Sequence, residues 1–482
     1  MTQYNGLISE EEAALARTCM AFALDYGAQK VRITLNKSTM DLFATLNGSL
    51  DKVSHCLDRV LSICLFVDGR YGSFSINRLE ENELKSFIVK AIDRVRMMAP
   101  DPSRDLPSPS RTEKGAVSGN ELGLYDPNYE SVTAEERLKL ALSAAVFEKY
   151  SKASASTEFK LISEEGEYSD SVSDTLVIDS NDLNCRHFET SFDYGVCVSI
   201  EDIDGNKYSG YWWDSASTLA GLDISQCGDV AVRKAVECIN PMAIPGGKKV
   251  MVVDSEVAGK LVNPLVMALR GFSLQQNNSF LMDSLGKKLF GDGVTIMDEC
   301  RCPGKGGSRL FDSEGVATKD VAIIDHGVVN EYFINTFIGK KMGMEPTIED
   351  YTRLVVKPYL TSKLEDSAAN QGIADAEACE ITKKTAFAGA ISQKDILRLC
   401  GSGILVTGFN GGNNNSATGD FSYGIEGFAF ENGVIVGPVR EMLITGNFIS
   451  LWNHLIAAGT DSRPCKINAI PTLAFSDVDF SA

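Results

Sequence analysis

The chain has 482 residues, 44 % of them hydrophobic and 23 % charged, with a formal net charge of −19 at pH 7. That acidic surplus argues against direct binding to DNA or RNA, where neutralising phosphates takes an excess of Lys and Arg; it favours solubility instead. No stretch approaches the roughly 18 unbroken apolar residues of a membrane span, and the start MTQYNGLISEEEAALART has neither the basic nor the apolar region of a secretory signal, so a cytoplasmic location is expected.

In chain order, residues 9–27 predict a helix that Ser9 caps, Glu10 to Glu12 favour electrostatically and Gly27 stops. Strand-like VRITL follows at 31–35, then two further apolar runs with Asp68-Gly69 as a hairpin turn. Residues 80–98 have helical periodicity. The stretch 99–131, rich in Pro, Ser, Asp and Gly, reads as a linker or as an irregular excursion packed on the surface. A helix capped by Thr133 is expected to about 150, β-meander material over 157–213, and a helix near 226–238.

Pro245-Gly246-Gly247 then leads into the apolar strand KVMVVD at 249–254. Segment 261–271 (LVNPLVMALRG) predicts a helix with Asn263 as cap and Pro264 in its first turn, and with Leu265, Met267, Ala268 and Leu269 in the core. A hairpin is expected at 318–337 around Asp325-His326-Gly327. A Gly/Asn-rich loop is expected at 408–420, and a strand pair around Glu431-Asn432-Gly433. The whole predicts an α+β fold. A mixed N-terminal domain over 1–240 is followed by a mainly antiparallel β domain with a few helices over 241–482.

The chemistry-bearing residues are sparse. The twelve cysteines are Cys19, Cys56, Cys64, Cys185, Cys197, Cys227, Cys238, Cys300, Cys302, Cys379, Cys400 and Cys465, and none forms a C-x-x-C. They read as reduced and mostly buried. The four histidines, His55, His187, His326 and His454, fall in no H-E-x-x-H or related spacing. Cys300 and Cys302 lack the second pair of a zinc finger. PGKGGSR at 303–309 lacks the spacing of a phosphate-binding loop and reads as a surface loop. The loop 408–420 reads either as the lining of a substrate groove, through Gly411, Gly412, Asn413, Asn414, Asn415, Asp420 and the nearby Tyr423, or as a long decorated turn.

The runs VVDSEVAGKLVNPLVMALRG, NSFLMDSLGKKLFGDGVTIMDE, LFDSEGVATKDVAIIDHGVVNEYFINTFIGKKMGM and SATGDFSYGIEGFAFENGVIVGPVREMLITGN resemble the TldD/PmbA family, and FVDGRYGSFSINRL agrees more loosely. The resemblance spans most of the chain. It implies one of two subunit types. TldD-like subunits carry a His-Glu-x-x-x-His zinc helix and a later cysteine; PmbA- or TldE-like subunits lack them and act as partners. An ungapped match puts the histidine positions on Val262 and Met267, the glutamate on Asn263 and the cysteine on Gly424. None of these serves zinc or accepts a proton from zinc-bound water.

The resemblance therefore implies a PmbA/TldE-like subunit with no catalytic residue and no cofactor of its own. It would pair with a zinc-bearing TldD-like homologue, or with itself, without contacting nucleic acid or membrane. The family is linked to trimming of peptides such as a microcin, to degradation of an unfolded antitoxin, and to the name modulator of DNA gyrase. Two other readings stand beside this one. The first is a self-sufficient peptidase using Cys300, Cys302 or a distant histidine. The second is a non-enzymatic homo-oligomer that holds peptides or a regulatory partner.

Overall fold

Ser9 starts the first helix through a capping box, accepting from the Glu12 amide while the Glu12 side chain reaches back to the Ser9 amide. The helix is α1 (Glu10–Asp25). The structure is a computed structural model that describes residues 6–144, 146–151, 159–371 and 390–481; Cys379 lies outside them. The chain divides into two compact units. The first holds Met1–Val236, Cys300–Lys319 and Ile334–Glu349, and the second holds Glu237–Glu299, Asp320–Phe333 and Asp350–Ala482. Two segments beyond the expected boundary near 240 thus pack with the first unit.

In the first unit, β1 (Lys30–Leu46), β2 (Ser49–Val67) and β3 (Arg70–Ile76) form two successive hairpins. Their turns, Asn47-Gly48 and Asp68-Gly69, hold φ of 51°, 74°, 51° and 70°. Two adjacent positive-φ residues are the type I′ pattern that suits the twist of paired strands. Next comes α2 (Glu81–Arg96). The single helix expected over 133–150 is instead α3 (Ala134–Ala141), a 3₁₀ turn at Leu142–Ala144 and α4 (Val146–Ser151). At the break, the Ser143 hydroxyl donates to the Leu140 carbonyl at 2.5 Å, in competition with the helical backbone pattern.

β4 (Phe159–Asp179), β5 (Asn184–Asp202) and β6 (Lys207–Ala216) complete a six-stranded antiparallel sheet of order β3-β2-β1-β4-β5-β6, and α5 (Cys227–Glu237) follows. Helices α1 and α2 cover one end of a face, packing Ala16, Ala23, Ile88, Ile92 and Val95 on Val31, Ile33, Leu35, Ile63 and Leu65. The stretch 99–131 is an excursion rather than a free linker. The Arg186, Phe188 and Thr190 amides of β5 donate to its Ala116, Gly119 and Leu124 carbonyls at 2.7, 2.9 and 3.0 Å, which satisfies backbone that lacks a strand of its own.

Buried charge ties these layers together. The Arg137 guanidinium of α3 grips Asp170 of β4 with Nε and Nη2 at 2.7 and 3.0 Å. Arg186 grips Asp174 in the same way at 3.0 and 2.6 Å. The late segments join by the same device. Arg309 grips Glu189 of β5 at 2.8 and 2.7 Å, and Arg301 bonds Glu113.

Burial pushes the Glu189 carboxyl up, but bonds from His187 and Arg309 outweigh it and hold the group down at about 2, from an ordinary 4.5. A depressed carboxylate stabilises the fold above its unfolded pKa and loses that contribution as pH falls through the folded value. Denaturant titrations of Glu189→Gln are therefore expected to show lower stability than the parent at neutral pH. The difference should shrink between pH 4.5 and 2.

In the second unit, β7 (Gly247–Val253), α6 (Gly259–Ala268) and α7 (Gly271–Gln275) come first. A four-stranded sheet of order β10-β9-β8-β11 combines β8 (Ile296–Asp298), β9 (Val321–Asp325), β10 (Val328–Val329) and β11 (Leu354–Val356). The expected hairpin at 318–337 is thus short: His326 and Gly327 turn it at φ 46° and 80°, and α8 (Thr336–Met342) already belongs to the first unit. Beyond it lie β12 (Tyr359–Leu360), α9 (Ser362–Asn370), α10 (Gln393–Cys400), β13 (Gly403–Asn414), β14 (Asp420–Glu431), β15 (Val434–Asn447), α11 (Phe448–Asn453), β16 (Leu455–Ala458) and β17 (Leu473–Ser481).

β7 runs parallel to β13 and antiparallel to β17, while β17 also pairs with β15. Strands β7, β13, β14, β15 and β17 therefore close on themselves, which removes open edges from this core. The α+β expectation holds, with antiparallel pairing throughout except between β7 and β13.

Candidate functional site

Helix α6 begins one turn earlier than its sequence suggests. After β7, the Asp254 carbonyl accepts from the Val257 and Ala258 amides at 2.9 Å each, and the Asp254 side chain accepts from Glu256 at 2.7 Å. That turn launches the helix at Gly259, so Asn263 is no cap and Pro264 is interior. Pro264 gives up one backbone bond, the one to the Lys260 carbonyl. Leu261, Val262, Leu265, Val266, Ala268 and Leu269 are buried. Met267, expected in the core, is 43 % exposed, because the helix turns the stripe Lys260, Asn263, Pro264 and Met267 outward. From α11, the Trp452 indole donates to the Leu261 carbonyl at 3.2 Å and fixes the buried side.

The expected loop 408–420 is mostly strand. β13 stays paired with β14 through Gly412↔Tyr423, Asn413↔Ser422 and Asn414↔Phe421, by means of bulges after Val406 and Phe409. Gly412 makes this possible. Its φ is 92°, and a Cβ there would lie 2.1 Å from the Ser422 carbonyl oxygen. Only 415–419 form a turn. The Asn415 side chain accepts from the Ala417 and Thr418 amides, Thr418 donates to Asp420, and Asn447 donates to the Thr418 carbonyl and to Asp420. Bonds from Asn447 and Thr418 hold the Asp420 carboxyl below its ordinary range.

Between the α6 stripe and this turn lies a cavity of about 360 Å³, at the small end of the ligand-pocket range. Lys260, Asn263, Met267, Phe280, Asn414 and Tyr423 dominate its lining. The Phe280 amide donates to the Ser416 carbonyl at 2.9 Å and ties two walls together. Tyr423 donates to Asn414 Oδ1 at 3.1 Å, and Lys260 Nζ stands 4.9 Å over its ring. Burial pushes the Tyr423 phenol up. Tyr423 also stacks on Phe421, with ring centroids 5.5 Å apart. Among the described residues, no carboxylate lines the cavity.

The structure thus unites Asn263, Met267, Asn414 and Tyr423 and separates them from other expected positions. Val262 is fully buried on the opposite side of α6. Gly424 has no room for a side chain, because a Cβ would lie 2.4 Å from Asn410 Oδ1. Asn413, Asn415 and Asp420 line a shallow neighbouring depression with Asn414. Gly411 and Gly412 sit in the bulge, outside both linings. The donor set that α6 offers the cavity is one amide and one thioether, beside an ammonium and a phenol, and this does not fit zinc. Among the described residues no group of three His, Cys, Asp or Glu is arranged to hold a metal.

The histidines lie elsewhere. His55 bonds Asp41 at 2.9 Å, His187 meets Arg309 at 2.7 Å, His326 meets Asp325 at 2.7 Å, and His454 bonds the Ser450 carbonyl at 2.7 Å. Cys300 is buried. The wall residues Lys260, Ser273, Asn278 and Phe280 had a legible signal only in part. Lys260, Asn263, Pro264 and Met267 sit at i, i+3, i+4 and i+7, one polar-edged helical stripe.

Two family models match the chain: the PmbA/TldA metallopeptidase central domain over 127–239 and the C-terminal domain over 246–482. A Bacteroides thetaiotaomicron protein of known crystal structure, provisionally named a modulator of DNA gyrase, is 36 % identical over 99 % of this chain and 100 % of its own, with a TM-score of 0.87. The chain belongs to the PmbA/TldD family. Two further members share less of the sequence. The metalloprotease PmbA of Escherichia coli O157:H7 is 25 % identical over 94 % of this chain and 91 % of its own. TldE from Thermococcus kodakarensis shares the fold with a TM-score of 0.77 at 18 % identity, over 97 % of this chain and 100 % of its own. Helix α6 presents Lys260, Asn263 and Met267 to the cavity. No helix among the described residues is long and apolar enough to cross a membrane.

Proposed function

We propose that this chain is a PmbA/TldE-like, non-catalytic subunit of a TldD/TldE-type peptidase that acts on peptides or unfolded small proteins. In this reading, zinc and bond cleavage reside in a TldD-like partner. The observation that carries it is the open face of α6. Asn263 and Met267 face a cavity at the place where the catalytic type would present its ligands. Asn263, Asn278 and Asn414 offer both donors and acceptors to a peptide backbone. Met267 and Phe280 give an apolar side chain somewhere to rest, and the flexible thioether adapts to several shapes.

The purified chain alone is expected to carry no stoichiometric zinc and to leave an unfolded peptide intact. Adding a TldD-like homologue should bring chelator-sensitive cleavage. With that pair, Asn263→Leu and Asn414→Leu should each raise KM about tenfold with kcat nearly unchanged, the loss of roughly one good hydrogen bond to substrate. Zinc and cleavage by the chain alone would overturn the reading.

A further inference from the structure

Among the described residues, Lys260 is the only charged side chain that lines the cavity beside α6, and no carboxylate is paired with its ammonium. In a chain with 65 acidic and 46 basic residues, a cation left over at a cavity calls for an anion from outside. What positions the ammonium is a ring, since Nζ stands 4.9 Å over Tyr423. A ring face attracts the charge from one side, and the three N–H donors of an ammonium leave others for a ligand.

The ring itself is braced. Tyr423 stacks on Phe421, and Phe409 meets it edge-on with centroids 5.7 Å apart. Phe421 packs on Phe448 at 4.8 Å, and Phe448 stacks on the cavity residue Phe280 at 5.9 Å. The charge thus stands over a fixed aromatic wall.

The neutral groups nearby are set to donate. The Tyr423 hydroxyl donates to Asn414 Oδ1 at 3.1 Å, which orients the amide and leaves its Nδ2 as the end offered to a ligand. Asn263 and Asn278 add two more amides. Asp420, on the adjoining turn, does not claim the lysine, because Thr418 and Asn447 bond its carboxylate at 2.7 and 2.9 Å.

We propose that this cavity takes a carboxylate of a peptide, paired with Lys260 and held by the Asn414 amide. This occupancy rests on the peptide reading of the cavity and adds the group that is recognised. The carboxylate comes from a peptide C-terminus, a known target of polar capture sites, or from an Asp or Glu side chain. A phosphate is a poorer match. It carries nearly two charges and is best recognised by the guanidinium fork, whereas no arginine lines the cavity.

Calorimetric titration of the full-length chain tests this with one short unfolded peptide in three forms. The first lacks Asp and Glu and ends in a free acid, the second is its C-terminal amide, and the third is that amide with one internal Glu. The acid form should bind about tenfold more tightly than the plain amide if the terminus is the source, and the Glu form should do so if a side chain is. High salt should shrink either gain. Lys260→Met keeps the aliphatic stem over Tyr423, so it should abolish the gain and leave the plain amide's Kd unchanged, while Lys260→Arg should keep it. Equal binding of all three forms, weakened together by Asn414→Leu, would overturn this inference and leave the peptide reading standing. Selectivity that survives Lys260→Met would also overturn it, and no binding of any form would overturn both.

Discussion

Asp170→Ala is expected to cost about 3–5 kcal/mol, because it leaves a buried charge without its partner. Asp170 is fully buried, while the Arg137 side chain is 12 % exposed. Two guanidinium bonds and the Tyr168 hydroxyl at 2.8 Å converge on this one carboxylate. Asp41, 3.6 Å from Arg137, and the Val132 carbonyl at 2.8 Å remain but do not reproduce the two-pronged grip. The loss should appear as a fall in melting temperature on the order of 10 °C, at ~2–4 °C per kcal/mol for a unit of this size. Asp170→Asn keeps the volume and one acceptor, so it should fall between the alanine variant and the parent. A shift of under ~2 °C for alanine, less than a single kcal/mol would give, would show that the pair is solvated in solution.

Rebuilding the zinc motif by sequence position should fail. The variant V262H/N263E/M267H/G424C installs every residue type that the resemblance assigns to a catalytic subunit, yet two of the four positions cannot serve. Val262 is fully buried among Leu261, Leu265 and Val266. An imidazole there adds an unsatisfied polar group, about 1–3 kcal/mol, to overpacking of about 1–3 kcal/mol. The substitution Gly424→Cys would push a Cβ to within 2.4 Å of the Asn410 amide oxygen. The expected result is a destabilised protein with no stoichiometric zinc by metal analysis. The contrasting pair Asn263→His with Met267→His places two imidazoles at i, i+4 on the cavity face, the spacing of helical zinc sites. It should fold normally and bind zinc weakly. Stoichiometric zinc in the fourfold variant would mean that position 262 can reach the cavity.

Much of the fold is written locally. Ser9, Thr133, Asp68-Gly69 and Asn432-Gly433 act where their own chemistry dictates, as caps that satisfy orphan amides or as positive-φ turns. The errors arise where a tertiary partner overrules local preference. Asn263 has the side chain of a cap, but the turn set by Asp254 starts the helix before it. Asn413 and Asn414 suit a loop, yet bulges keep them paired with β14. The site follows the same division. Lys260, Asn263, Pro264 and Met267 have the spacing of one helical stripe, yet Asn263 reads locally as a cap and Met267 as core, while Phe280 and Ser273 reach the wall through tertiary folding that no spacing encodes.

The late segments of the first unit have a consequence for synthesis. Glu189 and Glu113 are made long before the arginines that neutralise them, Arg309 and Arg301. Asp312 and Glu314, which hold Glu349 and Thr336 through their backbone amides, come later still. On the ribosome the six strands of the first sheet emerge before these arginines, and the unit can close only after residue 349 has left the exit tunnel. Much of the second unit has by then been translated, and a chain stopped at the apparent boundary near 240 would lack the arginines that neutralise Glu189 and Glu113.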